Sequence, residues 1–180
     1  MCSSDLVATG SKPIEPPIPG MDKDYVKGVI DVDSEKVETG QSVVVCGAGL
    51  SGLECALQLA MDGKDVTVVE QKPMSEFAID ASPPPRVMLL QLLEEHGVKL
   101  ISDHKVIAFT DEGVDIEDRN WTHTIVPCDT AVTAFGMKAD RTLYDELREE
   151  IPDVYVIGDA ERAGAIKHAN HSAFDYALLA

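Results

Sequence analysis

The chain has 180 residues, of which 44% are hydrophobic, a length and composition typical of one globular domain, alone or with fragments of another. Its 32 acidic side chains outnumber the 15 basic ones, giving a formal net charge of −17. This excess argues against a nucleic-acid partner, because phosphates need basic side chains to offset their charge. No apolar run approaches about 18 residues, so we expect no membrane span.

The cysteines carry no signature of a metal or redox motif. They form no CxxC pair, and no histidine stands at zinc-finger spacing from them. The four are Cys2, Cys46, Cys55 and Cys128. The start of the chain has neither a basic segment nor an apolar signal core. We therefore predict reduced cysteines, no metal site and a cytoplasmic location.

The first predicted elements form a β-α-β unit. Residues 11–20, SKPIEPPIPG, are rich in proline and predict an extended connector. The β-branched run of residues 41–46 predicts a strand that is buried on both faces. Residues 50–60 have apolar side chains at helical spacing, and residues 65–70, DVTVVE, predict a second strand. A unit of this kind implies two parallel strands joined by a right-handed crossover.

The second half of the chain predicts a helix, a meander and further strands. Residues 86–96 have one apolar face and are followed by a glycine, which is typical of a helix and its end. Three short alternating segments predict an antiparallel meander, at residues 105–110, 113–118 and 122–127. The other expected elements are strands at residues 98–102, 129–135 and 154–157 and a helix from about Ile166.

The turn between the first strand and its helix carries the pattern G-x-G-x-x-G, which is typical of dinucleotide-binding loops. Gly47 permits the tight turn, Gly49 lets the backbone approach a pyrophosphate, and Gly52 lets the helix pack close to the sheet. The N-terminus of the helix then offers free N–H groups to the phosphates. The candidate loop residues are Gly47, Ala48, Gly49, Leu50, Ser51 and Gly52.

An acid ends the second strand of the unit. Glu70 lies 18 residues after Gly52, where a carboxylate can accept hydrogen bonds from the adenosine ribose. A carboxylate repels a 2′-phosphate and so favours NAD(H) over NADP(H). Lys72 counts against this preference, because a cation could receive that phosphate. Glu70, Gln71 and Lys72 complete the candidate site, although the loop alone does not separate NAD from FAD.

Four segments, in this order, resemble one family. They are LVATG with SKPIEPPIPG, the loop GAGLSGLE, DTAVTAFG and VYVIGDA. Together they resemble the pyridine nucleotide–disulfide oxidoreductase superfamily of flavoproteins. Within it, the C-terminal part of the NADH:flavin oxidoreductases of the 2,4-dienoyl-CoA reductase and enoate reductase group is most similar.

The resemblance implies an α/β fold. We expect a Rossmann-like three-layer domain with a parallel sheet and a three-stranded antiparallel meander, flanked by parts of an FAD-binding domain. Residues 1–40 would be the end of the first part of the FAD domain with a connector, residues 41–127 the NAD(P)H domain, and residues 128–180 an incomplete C-terminal part of the FAD domain.

The resemblance also implies contacts with FAD. In the family, two segments that end in glycine cross between the domains, and here they correspond to Ala8–Gly10 and Thr133–Gly136. A strand followed by Gly-Asp contacts the flavin, and here that pair is Gly158 and Asp159. Asp159 would bind a ribityl hydroxyl; the alternative is that it caps the following segment.

A further glutamate has two readings of equal weight. Glu54 stands two residues after the third glycine, on what we predict to be the first turn of the helix. The resemblance implies that it binds the nicotinamide carboxamide. A glutamate there would also favour the helix simply through its interaction with the helix dipole.

Two functions remain open from the sequence. The first is an NAD(P)H-binding module that passes hydride from NADH to FAD in a complete enzyme, with no catalytic acid or base among its own side chains. The second is a non-catalytic module that senses dinucleotide or forms a scaffold. No second glycine loop is present, so the chain reads as a C-terminal fragment that is inactive alone. Its expected partners are NADH, the missing flavin-bearing half and a second copy of the chain.

Overall fold

The computed structural model describes residues 5–178, which form two compact units. The strands, in chain order, are β1 (Asp5–Val7), β2 (Ser11–Pro13), β3 (Val26–Gly28), β4 (Ser42–Cys46), β5 (Asp65–Val69), β6 (Lys99–Ile101), β7 (Lys105–Thr110), β8 (Gly113–Glu117), β9 (His123–Val126), β10 (Thr130–Thr133), β11 (Met137–Ala139) and β12 (Val154–Val156). The helices are α1 (Val29–Asp33), α2 (Leu50–Met61), α3 (Pro83–Glu95), α4 (Thr142–Leu147) and α5 (Ile166–Ala177).

The larger unit, Glu15–Phe135, is built around one parallel sheet with the strand order β3-β10-β4-β5-β6. The central strand β4 has side chains in both of the unit's hydrophobic clusters. Val43 and Val45 belong to the cluster formed with α2 and α3, whereas Val44 and Cys46 belong to the cluster formed with the meander. A strand whose side chains alternate between two packed faces is buried throughout, as its unbroken apolar run predicts.

One face of the parallel sheet packs against helices α2 and α3, and the other face packs against an antiparallel meander. Strands β7, β8 and β9 pair antiparallel in that order. Phe109, Val114 and Ile116 are buried and pack in one cluster with β4. Helices, parallel sheet and meander therefore form three layers, and the predicted fold class is confirmed.

The larger unit extends beyond the predicted bounds of residues 41–127 at both ends. Strand β3, which the sequence analysis did not predict, pairs with β10 at the edge of the sheet. Strand β10 lies between β3 and β4, and its residues Ala131 and Val132 are fully buried. The helix expected from residue 86 begins at Pro83, because proline fits the first turn of a helix without losing a hydrogen bond. Which cofactor each unit binds stays a prediction.

The smaller unit consists of residues 5–14 and 136–178 among those described. It contains a parallel pair, β1 with β12, and an antiparallel pair, β2 with β11. Within its described residues the buried hydrophobic side chains are Val7, Val154, Val156 and Ala160. Several large apolar side chains of the unit are exposed instead, namely Leu6, Leu143, Ile166, Phe174 and Leu178. This thin core indicates that the unit buries little of its own apolar surface.

Asp140 ties together the segments that flank the β2–β11 pair. Its carboxylate accepts hydrogen bonds from Lys12 Nζ at 2.8 Å and from Thr142 Oγ1 at 2.7 Å. Its backbone N–H donates to the carbonyl oxygen of Gly10 at 3.1 Å, and its carbonyl oxygen accepts from Thr9 Oγ1 at 3.1 Å. The hydrogen bond from Lys12, followed by that from Thr142, lowers the pKa of Asp140 to about 2.

A titration of Asp140 by carboxyl-carbon NMR tests this arrangement. We expect a midpoint at about pH 2. Because the folded-state pKa lies below the ordinary value of 3.8, the interaction stabilises the unit above pH 3.8 and is lost as the pH falls towards 2. Lys12→Gln should move the midpoint up towards 3.8. The matched change Lys138→Gln, opposite Lys12 on β11, should leave it in place. An unchanged midpoint in the Lys12 variant would contradict the assignment.

Candidate functional site

The loop after β4 needs glycine at Gly47 for two reasons. Its φ of 119° lies where L residues are rarely found, and a Cβ there would stand 2.4 Å from the carbonyl oxygen of Ala134. The backbone N–H of Gly47 donates to the carbonyl oxygen of Val69 at 2.8 Å. This bond holds the loop against the carboxyl-terminal end of β5.

The other two glycines of the loop have different surroundings. A Cβ on the buried Gly52 would stand 2.2 Å from the carbonyl oxygen of Gly47, so helix α2 can begin against the loop only if this residue is glycine. A Cβ on the exposed Gly49 would meet no atom within 4 Å. The fold therefore requires Gly47 and Gly52, whereas Gly49 borders open space where a ligand can approach the backbone.

The N-terminus of α2 has free hydrogen-bond donors. The first bond of the helix runs from the N–H of Leu53 to the carbonyl oxygen of Gly49 at 3.1 Å. Leu50 and Ser51 are exposed, and no side chain caps this end of the helix among the described residues. N–H groups that precede the first helical bond, together with the helix dipole, are suited to an anion such as phosphate.

The structure brings Glu70 into direct contact with the loop. Its Oε2 accepts a hydrogen bond from the backbone N–H of Ala48 at 2.8 Å, and its Oε1 accepts one from the N–H of Lys72 at 3.0 Å. The contact follows from the sheet, because Val69 on β5 pairs with Cys46 on β4. Gln71 and Lys72 are exposed beside it. The predicted phosphate loop and the predicted ribose acid thus lie side by side at the carboxyl-terminal end of the parallel strands.

Glu54 does not lie where the sequence analysis placed it. Helix α2 begins at Leu50, and its first turn contains no acidic residue, so Glu54 follows that turn. The prediction of a first-turn position was wrong, because Glu54 is the fifth residue of a helix that has 3.6 residues per turn. The interaction with the dipole weakens away from the first turn. Glu54 is exposed, and its contact with the nicotinamide end stays a prediction.

A second segment beside the loop, residues 73–82, was not assigned to the site by the sequence analysis. The N–H of Ala78 donates to the carbonyl oxygen of Ala48 at 2.9 Å, and Phe77 is fully buried. The guanidinium of Arg86 donates to the carbonyl oxygens of Phe77 and Ser75, each at 2.6 Å. These contacts hold the segment against the glycine loop. The short apolar run of residues 77–79 was the signal in the sequence, and it is too short to indicate which part of the chain it contacts.

The predicted flavin residues lie in the smaller unit. Gly136 has a φ of 93° and accepts a hydrogen bond from the N–H of Ile14 at 2.9 Å. Gly158 donates its N–H to Ser172 Oγ at 2.9 Å. The half-buried carboxylate of Asp159 accepts from the N–H of Gly164 at 3.2 Å and from Ser11 Oγ at 3.4 Å. A carboxylate has about four acceptor sites, so these two bonds leave Asp159 acceptor capacity for a ligand hydroxyl.

Comparisons with known proteins agree with this geometry. The sequence profile of the pyridine nucleotide-disulphide oxidoreductases matches residues 3–174. Cinnamate reductase of Clostridium sporogenes is 35% identical over 96% of the chain, and NADH oxidase of Thermoanaerobacter brockii is 33% identical over 96%. These matches span 26% and 27% of the two relatives. The solved structure of a 2-naphthoyl-CoA reductase covers 94% of the chain at 29% identity with a TM-score of 0.86, and 26% of that protein is matched.

The chain belongs to the pyridine nucleotide-disulphide oxidoreductase family. The predicted kinship with flavin-dependent enzymes that use a pyridine nucleotide is therefore confirmed. The chain spans about a quarter of the length of the curated relatives named above.

The three thiols among residues 5–178 are not placed for disulfide chemistry. Cys46, Cys55 and Cys128 are free, and Cys2 lies outside the described residues. Burial raises the pKa of Cys128 to about 11, and burial also raises the pKa of Cys46 and of Cys55. A thiol that stays protonated is a poor nucleophile.

Residues 5–178 contain neither a metal-ligand cluster nor a membrane-spanning helix. No group of three His, Cys, Asp or Glu side chains in that range is arranged to hold a metal ion. None of its helices is both long and apolar enough to cross a membrane.

Alanine substitutions at Gly49 and Gly52 test which of these two glycines the fold requires. Gly52→Ala should lower the free energy of unfolding by about 1–3 kcal/mol, because the new Cβ clashes with backbone. Gly49→Ala should change it by less than about 1 kcal/mol, because its Cβ enters open space. Urea unfolding followed by circular dichroism measures both. Equal losses in the two variants would show that the loop is not built as described.

Proposed function

We propose that residues 15–135 bind a pyridine dinucleotide, NADH in preference to NADPH, and present its hydride to the FAD of a complete flavoprotein oxidoreductase. The observation that supports this most is the open space at Gly49, next to free helix N–H groups and to Glu70. The fold itself leaves Gly49 free to carry a side chain. A glycine there is explained by the close approach of a pyrophosphate to the backbone.

The preference for NADH rests on Glu70. The hydrogen bonds from Ala48 and Lys72 hold its carboxylate beside the glycine loop in a fixed orientation. A fixed negative charge accepts hydrogen bonds from two ribose hydroxyls and repels a 2′-phosphate. The name of the NADH oxidase relative is consistent with this choice. The exposed ammonium of Lys72 favours NADPH instead, so the experiment below compares the two nucleotides.

The flavin is assigned to the smaller unit together with chain outside the sequence described. By resemblance, Gly136, Gly158 and Asp159 are its contacts here, and Asp159 has acceptor capacity to spare. FAD, when bound, supplies the hydride-accepting chemistry. The side chains of this chain bind and orient the cofactors, and none of them is assigned as an acid or a base.

The remaining partners follow from the same reading. The exposed side chains Leu6, Ile166 and Phe174 suit a covering segment, which we assign to the flavin-bearing half of the enzyme. In the absence of that segment, these exposed apolar side chains favour association of two copies of the chain. Free cysteines fit the cytoplasm that we predict as the location.

Calorimetric titration with NADH and NADPH tests the proposal. Wild type should bind NADH more tightly, and Gly49→Val should abolish binding while leaving the unfolding temperature unchanged. Glu70→Gln should weaken NADH binding by about 1–3 kcal/mol, because a charged hydrogen bond to the ribose is lost. It should also narrow the difference between the two nucleotides. The matched change Glu94→Gln, at the exposed end of α3, should change neither value.

Each outcome separates the claims. Unaltered binding in Gly49→Val would refute the phosphate loop, and unaltered binding in Glu70→Gln would refute the ribose assignment. Tighter binding of NADPH by wild type would reverse the preference. Saturable binding without electron transfer to FAD, once the flavin-bearing half is added, would favour the alternative of a sensing or scaffold module.

A further inference from the structure

The only tryptophan of the chain, Trp121, is exposed in a conformation that suits it poorly. Its side chain is 79% exposed, so the indole gains little from burial. Its φ of 62° lies in the left-handed region, where bulky residues are rare and turns usually carry glycine or asparagine. Two unfavourable features at one residue, with no packing in return, indicate a role in binding.

The turn that carries Trp121 has a fixed shape. It joins β8 to β9, and the carboxylate of Asp118 accepts hydrogen bonds from the N–H of Asn120 at 2.7 Å and of Thr122 at 2.9 Å. The N–H of Trp121 donates to the carbonyl oxygen of Asp118 at 3.1 Å. The indole is therefore presented on a preorganised turn, which lowers the entropy lost when a ligand binds.

The same turn is tied to the segment that follows Glu70. The guanidinium of Arg119 forms an ion pair with the carboxylate of Asp103. The N–H of Asp103 donates to the carbonyl oxygen of Lys72 at 3.1 Å, and the N–H of His104 donates to that of Glu70 at 3.0 Å. Two backbone bonds and one ion pair thus link the turn of Trp121 to the proposed ribose position.

We propose that Trp121 stacks against the adenine of the bound dinucleotide and that Arg119 is a positioning residue for it. The inference rests on the proposed function, because adenine is the group bonded directly to the ribose assigned to Glu70. An indole offers a flat π-face, which suits a purine better than it suits the sugar or the phosphates. The Arg119–Asp103 pair keeps the turn beside residues 70–72 without occupying the indole.

Fluorescence of this single tryptophan, titrated with ADP-ribose, tests the contact. ADP-ribose carries the adenine and lacks the nicotinamide, whose absorption would quench the indole from a distance. We expect quenching of Trp121 and protection from acrylamide on binding. By calorimetry, Trp121→Ala should weaken ADP-ribose binding by about tenfold, and Trp121→Phe should restore most of it. Arg119→Ala should weaken binding less. The matched change of another exposed apolar side chain, Met61→Ala, should have no effect.

The outcomes distinguish this inference from the function on which it rests. ADP-ribose that binds wild type and Trp121→Ala equally, with unchanged fluorescence, would overturn the stacking contact and leave the dinucleotide site in place. Failure of wild type to bind either ADP-ribose or NADH would overturn both. Because Trp121 is exposed, its variants should keep the unfolding temperature of wild type. A loss of affinity in Trp121→Ala that phenylalanine does not restore would contradict an aromatic contact.

Discussion

The parallel pairing of β4 with β5 is the constraint on which the site depends. Its register sets Cys46 beside Val69, so the residues that follow these two strands leave the sheet side by side at its carboxyl-terminal end. Two hydrogen bonds then join them, from Gly47 to the carbonyl oxygen of Val69 and from Ala48 to the carboxylate of Glu70. A shift of the register would separate the phosphate loop from the acid even if every residue were kept.

The glycine loop at this end of the sheet serves both folding and binding. Gly47 and Gly52 are needed because protein backbone occupies the space of a Cβ, and any dinucleotide fold with this turn would need them. Gly49 has no such neighbour, so the chain alone does not explain it. The glycines that the fold itself requires therefore say nothing about a ligand. Gly49, which the fold does not require, is the one that indicates a ligand close to the backbone.

Much of this could be predicted from sequence because the signals are local. The valines of β4, the spacing of the glycines and the acid at residue 70 lie within one β-α-β unit, and the meander follows from alternation in three adjacent segments. The places of β3 and β10 in the strand order of the sheet could not be predicted, because they depend on pairing between segments that are far apart in the sequence. The contacts of Arg86, and of Arg119 with Asp103, could not be predicted either, because single side-chain contacts leave no periodic pattern in the sequence. Glu54 was predicted on the first turn although the predicted helix start, Leu50, is the observed one, so the error lay in counting residues along the helix.

An amide NMR titration of the labelled chain with NADH would locate the bound dinucleotide residue by residue. We expect the largest chemical-shift changes at residues 48–52 and 70–72, where the loop and the acid meet. Shifts confined to residues 158–172, or no saturable shift at the loop, would contradict the assignment of the dinucleotide to this end of the sheet.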